Sequence, residues 1–499
     1  MNKLIINTDL GKQKISKHIY GHFAEHLGRC VYEGLWVGED SPIPNTRGFR
    51  NDIVAALKKL NIPNLRWPGG CFADTYHWKD GIGPRETRPS LVNVFWGGTT
   101  ENNHVGTHEF LDLCGQLGCE PYIAGNLGSG TVREMAEWLE YITMPGESPM
   151  SRQRKANGRQ EPWSLTYWGV GNENWGCGGN MRVQQYADLY RQYASYCRNF
   201  TPGGRLYKVA CGYTEDWNEV LMREVGRFMD GISVHYYTIP GSWSKKGSAT
   251  DFTVDEWQVT MQRAGSVDGF LRRTESIMDR HDPAKRVGIV LDEWGTWFDV
   301  EPGTNPGFLY QQNTMRDALV AGLSFNIFHQ HAERLHMANI AQTINVLQAM
   351  VLTEGPRMAL TPTYHVFEMN KVHQGATLLP SALECPVYVP ASRNPAEVDV
   401  PWDTIMQVNA SASCDEVGKI HVSLCNVHHD EASELAVDLR GMNVASVKGR
   451  ILTAPAMNTM NTFDCPDAVK PGKFDDFKLD RTGLTVSLPP RSVVILEIQ

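Results

Sequence analysis

The sequence predicts an α/β protein: a (β/α)8 barrel of the TIM type followed by a C-terminal antiparallel β-sandwich of jelly-roll-like form. Three observations carry that expectation. Eight short apolar runs alternate with helical stretches up to about Gln374. Beyond that point strand-like runs follow one another with no helical periodicity between them. Polar segments rich in tryptophan sit just past several of the apolar runs, where a parallel barrel gathers its reactive groups.

The opening "KLIINTD" reads as a strand with no helix after it, and is expected to join the sandwich. The eight barrel runs are "IYGHF" at Ile19, "NLRWP" at Asn64, "PYIAGN" at Pro121, "LTYWGVGN" at Leu165, "YKVACGY" at Tyr207, "GISVHYY" at Gly231, "RVGIVLDEW" at Arg286 and "MANIAQ" at Met337. Between the fourth and fifth, Val183, Tyr186, Leu189, Tyr190 and Tyr193 recur at helical spacing. Past Gln374, the proline-rich "SALECPVYVPASRNPAEVDVPWD" leads to "KIHVSLCNVHH", "VKGRILTA" and "LTVSLPPRSVVILEI", all strand-like. The expected division is a catalytic barrel over residues 16–374 and a sandwich over 375–499, with the strand of residues 1–15 added to it.

Composition narrows the partners. The 499 residues include 47 basic and 56 acidic side chains, a net charge of −9, which argues against nucleic acid. The basic stretch "SRQRKANGR" (Ser151 to Arg159) reads as a solvated loop. No apolar run is long enough for a membrane span, and the N-terminus lacks the apolar core of a secretory signal. Eleven cysteines with no C-x-x-C pair fit a reducing compartment, most of them as small buried hydrophobes. A cytoplasmic protein is expected.

Glu173 in "GVGNENWGCGG" falls at the end of the fourth barrel run, and Glu293 in "IVLDEWGTW" at the end of the seventh. Both are flanked by tryptophan, Trp175 two residues after the first and Trp294 directly after the second. Two carboxyl groups facing one another across a barrel mouth suit glycoside hydrolysis, in which one delivers a proton and the other attacks or activates water. Amides around Glu173 can orient a proton donor, while Arg66 or Tyr237 can serve a nucleophile. Zinc chemistry is the competitor, since "HFAEH" (His22 to His26) has H-x-x-E-H spacing and "HQHAERLH" holds His329, His331 and His336. That motif needs a helix, and His22 to His26 lies at a strand end, so no metal and no cofactor is expected. Those histidines are expected to orient carboxylates or bind hydroxyls. "GVGNENWG" lacks the third glycine of a dinucleotide fingerprint, position 174 being Asn. Trp67, Trp78, Trp96, Trp175 and Trp297 are candidates for stacking on sugar rings.

Six segments in order, "IYGHFAEHLGRCVYEGLWVG", "NLRWPGGCFADTYHWKDGIGPRETRP", "YWGVGNENWGCGG", "SVHYYT", "LDEWGTW" and "MANIAQTINVL", resemble the glycoside hydrolase family 51 α-L-arabinofuranosidases. The resemblance spans nearly the whole barrel. It implies a retaining, exo-acting enzyme of carbohydrate metabolism that releases arabinose from arabinan or arabinoxylan fragments, with Glu173 as acid/base and Glu293 as nucleophile. It further implies that Glu25, Cys71, Asn172, Tyr237 and Gln342 hold the furanose, Asn172 at the 2-hydroxyl, with Arg66 and His235 behind them. Asn345 and Gln348 compete with Gln342 for that role, and packing is the alternative for Cys71. Family members are commonly hexamers, so a homo-oligomer is implied. The other readings are a related endo-glucanase or xylanase and a non-catalytic carbohydrate-binding protein. The segment "WSKKGSATDFTVDEW" and the residues before Leu165 decide between a walled pocket and an open cleft.

Overall fold

The eight apolar runs pair in parallel and close into a barrel, with strands Gly21–Phe23, Asn64–Trp67, Glu120–Gly125, Tyr167–Val170, Tyr207–Cys211, Gly231–Thr238, Gly288–Thr296 and Leu335–Ile340 in chain order around it. This architecture comes from a computed structural model, which describes residues 2–388, 404–480 and 483–499. Residues 389–403, within the proline-rich segment, lie outside the described residues. Helices fill each crossover, as parallel pairing requires. Helix Val183–Tyr196 buries Tyr186, Tyr190 and Tyr193 on the predicted face. The barrel's interior is plugged by Tyr122, Val209, Val290 and Met337, so its centre is a packed core rather than a pore.

The seventh strand runs three residues beyond Glu293, to Thr296, because its pairing with the sixth continues to Thr238–Thr296. Between the pairs Ser233–Val290 and His235–Glu293 it carries one residue more than its neighbour. The resulting bulge lets the consecutive residues Asp292 and Glu293 both reach Arg66, which a regular strand would place on opposite faces.

Helix Met315–Gln330 is buried at every position from Met315 to His329. One side covers the barrel strand Gly288–Thr296 and the other packs on sandwich strands Val408–Cys414, Ile420–Asn426 and Ser492–Ile498. Hence Ile420–Asn426 is buried on both faces, whereas Ser433–Arg440 alternates, Leu435, Val437 and Leu439 facing in. The sandwich has a five-stranded and a six-stranded sheet. Strand Asn2–Asn7 sits inside the five-stranded sheet, antiparallel to Ser381–Glu384 and parallel to Ser433–Arg440. The parallel pairing departs from an all-antiparallel sandwich, and it arises because no hairpin constrains a strand arriving from the far end of the chain.

The basic stretch from Ser151 is not a solvated loop. It forms helix Pro149–Ala156, and the buried Arg154 donates to the carbonyls of Tyr141, Met144 and Gln160, satisfying the open C-terminal end of the preceding helix. The histidines outside the mouth do hold hydroxyls and carboxylates: His329 meets Tyr20 and Ser411, His331 meets Asp268 and Glu275, and His336 meets Tyr207. His22 packs against Phe367, and burial pulls its pKa down to about 3.

Candidate active site

Past the fourth strand the chain turns sharply to present Glu173, which has φ +42°, a left-handed conformation uncommon outside glycine. Gly178 makes the turn possible, because a Cβ there would lie 2.2 Å from the Asn172 carbonyl and 2.5 Å from the Asp74 carboxylate. Gly176 has room for a side chain, its nearest neighbour being 3.7 Å away, and nothing in the structure explains it. Across the mouth, Gly70 brings the backbone against the other acid, since a Cβ there would sit 2.7 Å from Glu293 Oε1.

Oxygens of Glu173 and Glu293 lie within 4.8 Å of one another, with a nitrogen of His235 inside the same distance. The two groups are held differently. Glu293 Oε1 accepts from Arg66 Nη1 at 2.8 Å and Oε2 from the Tyr237 hydroxyl at 2.8 Å. Glu173 Oε1 meets His235 Nδ1 at 2.9 Å, while Oε2 faces only sulfur, 3.4 Å from Cys177 and 3.7 Å from Cys71. The Glu173 side chain is 19% exposed and that of Glu293 8%, which suits Glu173 for exchanging a proton with water.

Asp292 ties this pair to the barrel floor. Its carboxylate accepts from Tyr122 at 2.7 Å and Ser233 at 2.5 Å, and pairs with Arg66 Nε and His235 Nε2, each at 3.3 Å. Burial penalises the Asp292 charge, but Arg66 and His235 outweigh it and hold the carboxyl below the usual range. For His235, burial alone would lower the pKa; Glu293, Asp292 and Glu173 together push it up to about 10 from 6.5. A histidine bound more tightly to its proton in the folded state gives stability that is complete below 6.5 and is lost as pH rises toward 10. The melting temperature is therefore expected to fall across that interval and to fall less in His235→Gln, as read by thermal denaturation at pH 6.5, 8 and 9.5. Equal slopes in both proteins would remove this role.

Glu25 follows the first strand. Its Oε1 accepts from the Phe72 amide at 3.1 Å and Trp96 Nε1 at 2.9 Å, and Oε2 from Gln342 Nε2 at 3.0 Å. Burial, with Glu293 nearby, pushes its carboxyl up to about 7 against those donors. Of the three rival amides only Gln342 reaches the site. Asn345 is spent on Arg29 and Thr353, and Gln348 on Thr296, Asp317 and Thr363. Gln342 Oε1 and Asn172 Nδ2 are buried without a partner, while Asn172 Oδ1 accepts from Arg66 Nη2 at 2.5 Å. An orphaned acceptor and an orphaned donor beside the carboxyl pair are what a polyhydroxyl ligand would satisfy.

Cys71 differs from expectation. Its sulfur is bonded to that of Cys177, 106 residues away, with Cα atoms 5.5 Å apart. No motif spacing marks such a pair, and the bridged sulfur has no hydrogen to donate. The nine remaining cysteines are free. Of the five tryptophans, Trp67 and Trp78 do not face the hollow: both are buried, Trp67 stacked on Phe110 and Trp78 on Trp138. Trp96, Trp175 and Trp297 remain partly accessible. Trp175 stacks on Tyr213 at 3.8 Å, and Trp297 stands between Tyr237 and the exposed Trp243.

Two residue sets at the mouth have metal-compatible spacing, Cys71/Glu173/Cys177 and Glu173/His235/Glu293. In the first the sulfurs are bonded to each other. In the second His235 is engaged with Glu173 at 2.9 Å, Asp292 at 3.3 Å and Glu293 at 3.4 Å.

Carboxyl groups this close, one shielded by a guanidinium and one open to proton exchange, are the equipment of glycosidic bond cleavage, and the protein falls in the glycoside hydrolase class. Residues 56–253 match the family described as "Alpha-L-arabinofuranosidase 1 domain" and residues 292–492 "Alpha-L-arabinofuranosidase C-terminal domain". The chain is 52% identical over 499 residues to the "Intracellular exo-alpha-L-arabinofuranosidase" of Bacteroides ovatus, covering 99% of this chain and 95% of that one. The crystal structure of the GH51 arabinofuranosidase from Xanthomonas axonopodis pv. citri superposes with a TM-score of 0.96 at 47% identity, over 100% of both chains. That of the Thermotoga maritima α-L-arabinofuranosidase arabinose complex gives 0.86 at 30%, over 100% of this chain and 99% of that one. The chain belongs to glycoside hydrolase family 51, the α-L-arabinofuranosidases. The glucanase-xylanase CelM2 shares the fold alone, at 14% identity and a TM-score of 0.62.

Proposed function

We propose that this protein removes terminal α-L-arabinofuranosyl groups from arabinan or arabinoxylan fragments by double displacement, with retention at the anomeric carbon. The observation that carries it is the approach of Glu173 and Glu293 to within 4.8 Å. Retaining enzymes need carboxyl groups about 5 to 5.5 Å apart, whereas inverting ones leave space for a water. A Glu293 oxygen attacks the anomeric carbon as the bond to the departing oxygen breaks, and Glu173 gives that oxygen its proton. Water then attacks the same carbon, surrenders a proton to Glu173, and the bond to Glu293 breaks. Arg66 and Tyr237 aim the attacking carboxylate, and His235 orients Glu173. Glu25, Gln342, Asn172 and Tyr237 hold the furanose. The unpaired Asn172 Nδ2 and Gln342 Oε1 support those contacts. Cys71 contributes packing through its bridge.

Proton NMR of an aryl α-L-arabinofuranoside during hydrolysis should show α-arabinofuranose as the first product. First appearance of the β anomer would defeat the retaining assignment.

The name of the Bacteroides ovatus relative supports an intracellular, exo-acting enzyme. A homo-oligomer, of the hexameric kind, is part of the same reading and is checked by sedimentation velocity. The division at residues 16–374 and 375–499, with 1–15 joined to the sandwich, is proposed as the functional one, the barrel carrying every site residue named here.

A further inference from the structure

We infer that Asp74 is a positioning residue that clamps the loop bearing the acid/base; this rests on the assignment of Glu173 above. Asp74 lies in the short 3-10 turn Cys71–Thr75 after the second barrel strand and is buried. Its Oδ1 accepts the amides of Leu127 at 2.8 Å and Gly128 at 2.6 Å, just past the third strand. Its Oδ2 accepts the Asn172 amide at 3.0 Å and Asn174 Nδ2 at 3.1 Å. One oxygen is thus anchored to a neighbouring strand end, and the other grips the residues on either side of Glu173.

Nothing else in the surroundings explains a buried charge there. Among the described residues no basic side chain pairs with Asp74, and all four donors are neutral. Burial pushes its carboxyl up to about 7 even against those four donors. An isolated buried carboxylate is costly to keep, so its retention calls for a role. That role is visible in the backbone it holds. Glu173 keeps its left-handed φ only while its flanks are fixed, and Asn174 passes the grip on, its Nδ2 also donating to the Gly178 carbonyl at 2.8 Å. The Cys71–Cys177 bridge joins the same turn to the same loop, but it attaches beyond Glu173 and leaves the Asn172 side unheld. Asp74 secures both.

The test uses the asymmetry of asparagine. In Asp74→Asn the remaining oxygen can still accept from Leu127 and Gly128, while its amide meets the Asn172 amide and the Asn174 side chain donor to donor. Turnover is compared on an arabino-oligosaccharide, whose departing oxygen needs a proton, and on dinitrophenyl arabinofuranoside, whose departing oxygen does not; kcat and KM are read separately. A misplaced proton donor should lower kcat/KM for arabinosyl release from the oligosaccharide by roughly 10² to 10³ and the first step on the dinitrophenyl substrate less than tenfold. Equal losses on both, or no loss, overturn the inference. Glu173→Ala is run beside it. If that variant shows the leaving-group dependence and Asp74→Asn does not, the clamp fails and the acid/base assignment stands; if Glu173→Ala shows none, the assignment fails and the clamp with it. Should Asp74→Asn not fold, Asn174→Ala removes one grip with Asp74 intact and is judged by the same ratio.

Discussion

Glu293→Ala is expected to lose roughly 10⁴ to 10⁶ in kcat/KM on every arabinofuranoside, activated or not, because the proposed nucleophile is gone. Sugar binding should survive. Glu25, Gln342 and Asn172 make no hydrogen bond to Glu293, and the space left faces Arg66 and Tyr237, which can still donate to a hydroxyl. Calorimetric titration with arabinose separates lost chemistry from lost binding. Azide sharpens the result: seated where the carboxylate stood, it attacks from that face and yields an arabinosyl azide of inverted configuration. A variant that keeps activity within tenfold of the parent would take the nucleophile's role away from Glu293.

Glu173→Ala should behave otherwise. With dinitrophenyl arabinofuranoside the first step needs no proton donor, so the glycosyl-enzyme forms and then waits, since no base activates water. A burst of dinitrophenol followed by slow turnover is expected. On arabino-oligosaccharides the loss should be about 10²- to 10⁴-fold, the range for a proton-transferring side chain. Azide, already an anion, should accelerate the slow phase and give a product of retained configuration. Opposite stereochemistry in the two variants assigns the two roles independently of any rate. The same azide configuration in both would contradict the assignment of one acid to each face.

The strand order, the buried face of helix Val183–Tyr196 and the placing of Glu173 and Glu293 at strand ends were legible because each leaves a local trace. Apolar runs at barrel spacing announce the strands, and Glu173 and Glu293 stand just past such runs. What sequence reasoning missed depends on groups that meet only in space. Asp292 looks like an ordinary neighbour of Glu293, and only the extra residue in the seventh strand turns it inward to Arg66 and His235. A carboxylate inside an otherwise apolar run, "GIVLDEW", was the available signal. Asp74 in "CFADTY" carried none, since its four donors come from two other strand ends. Cys177 lay in plain view, but a separation of 106 residues gives no spacing to read. The tryptophans misled for a related reason: Trp67 and Trp78 stand beside polar residues in sequence yet are buried, with Phe110 and Trp138 as ring partners.

Helix Met315–Gln330 has no outer side. An ordinary barrel helix could lose an appended domain and keep its packing, but this one would lose the partners of Gly322, Asn326 and His329, which meet Cys425, Val493 and Ser411. The C-terminal domain is therefore a structural wall shared with the catalytic half and not a detachable accessory. Exchanging it between relatives would mean exchanging the helix as well, and the helix backs the strand on which Glu293 stands.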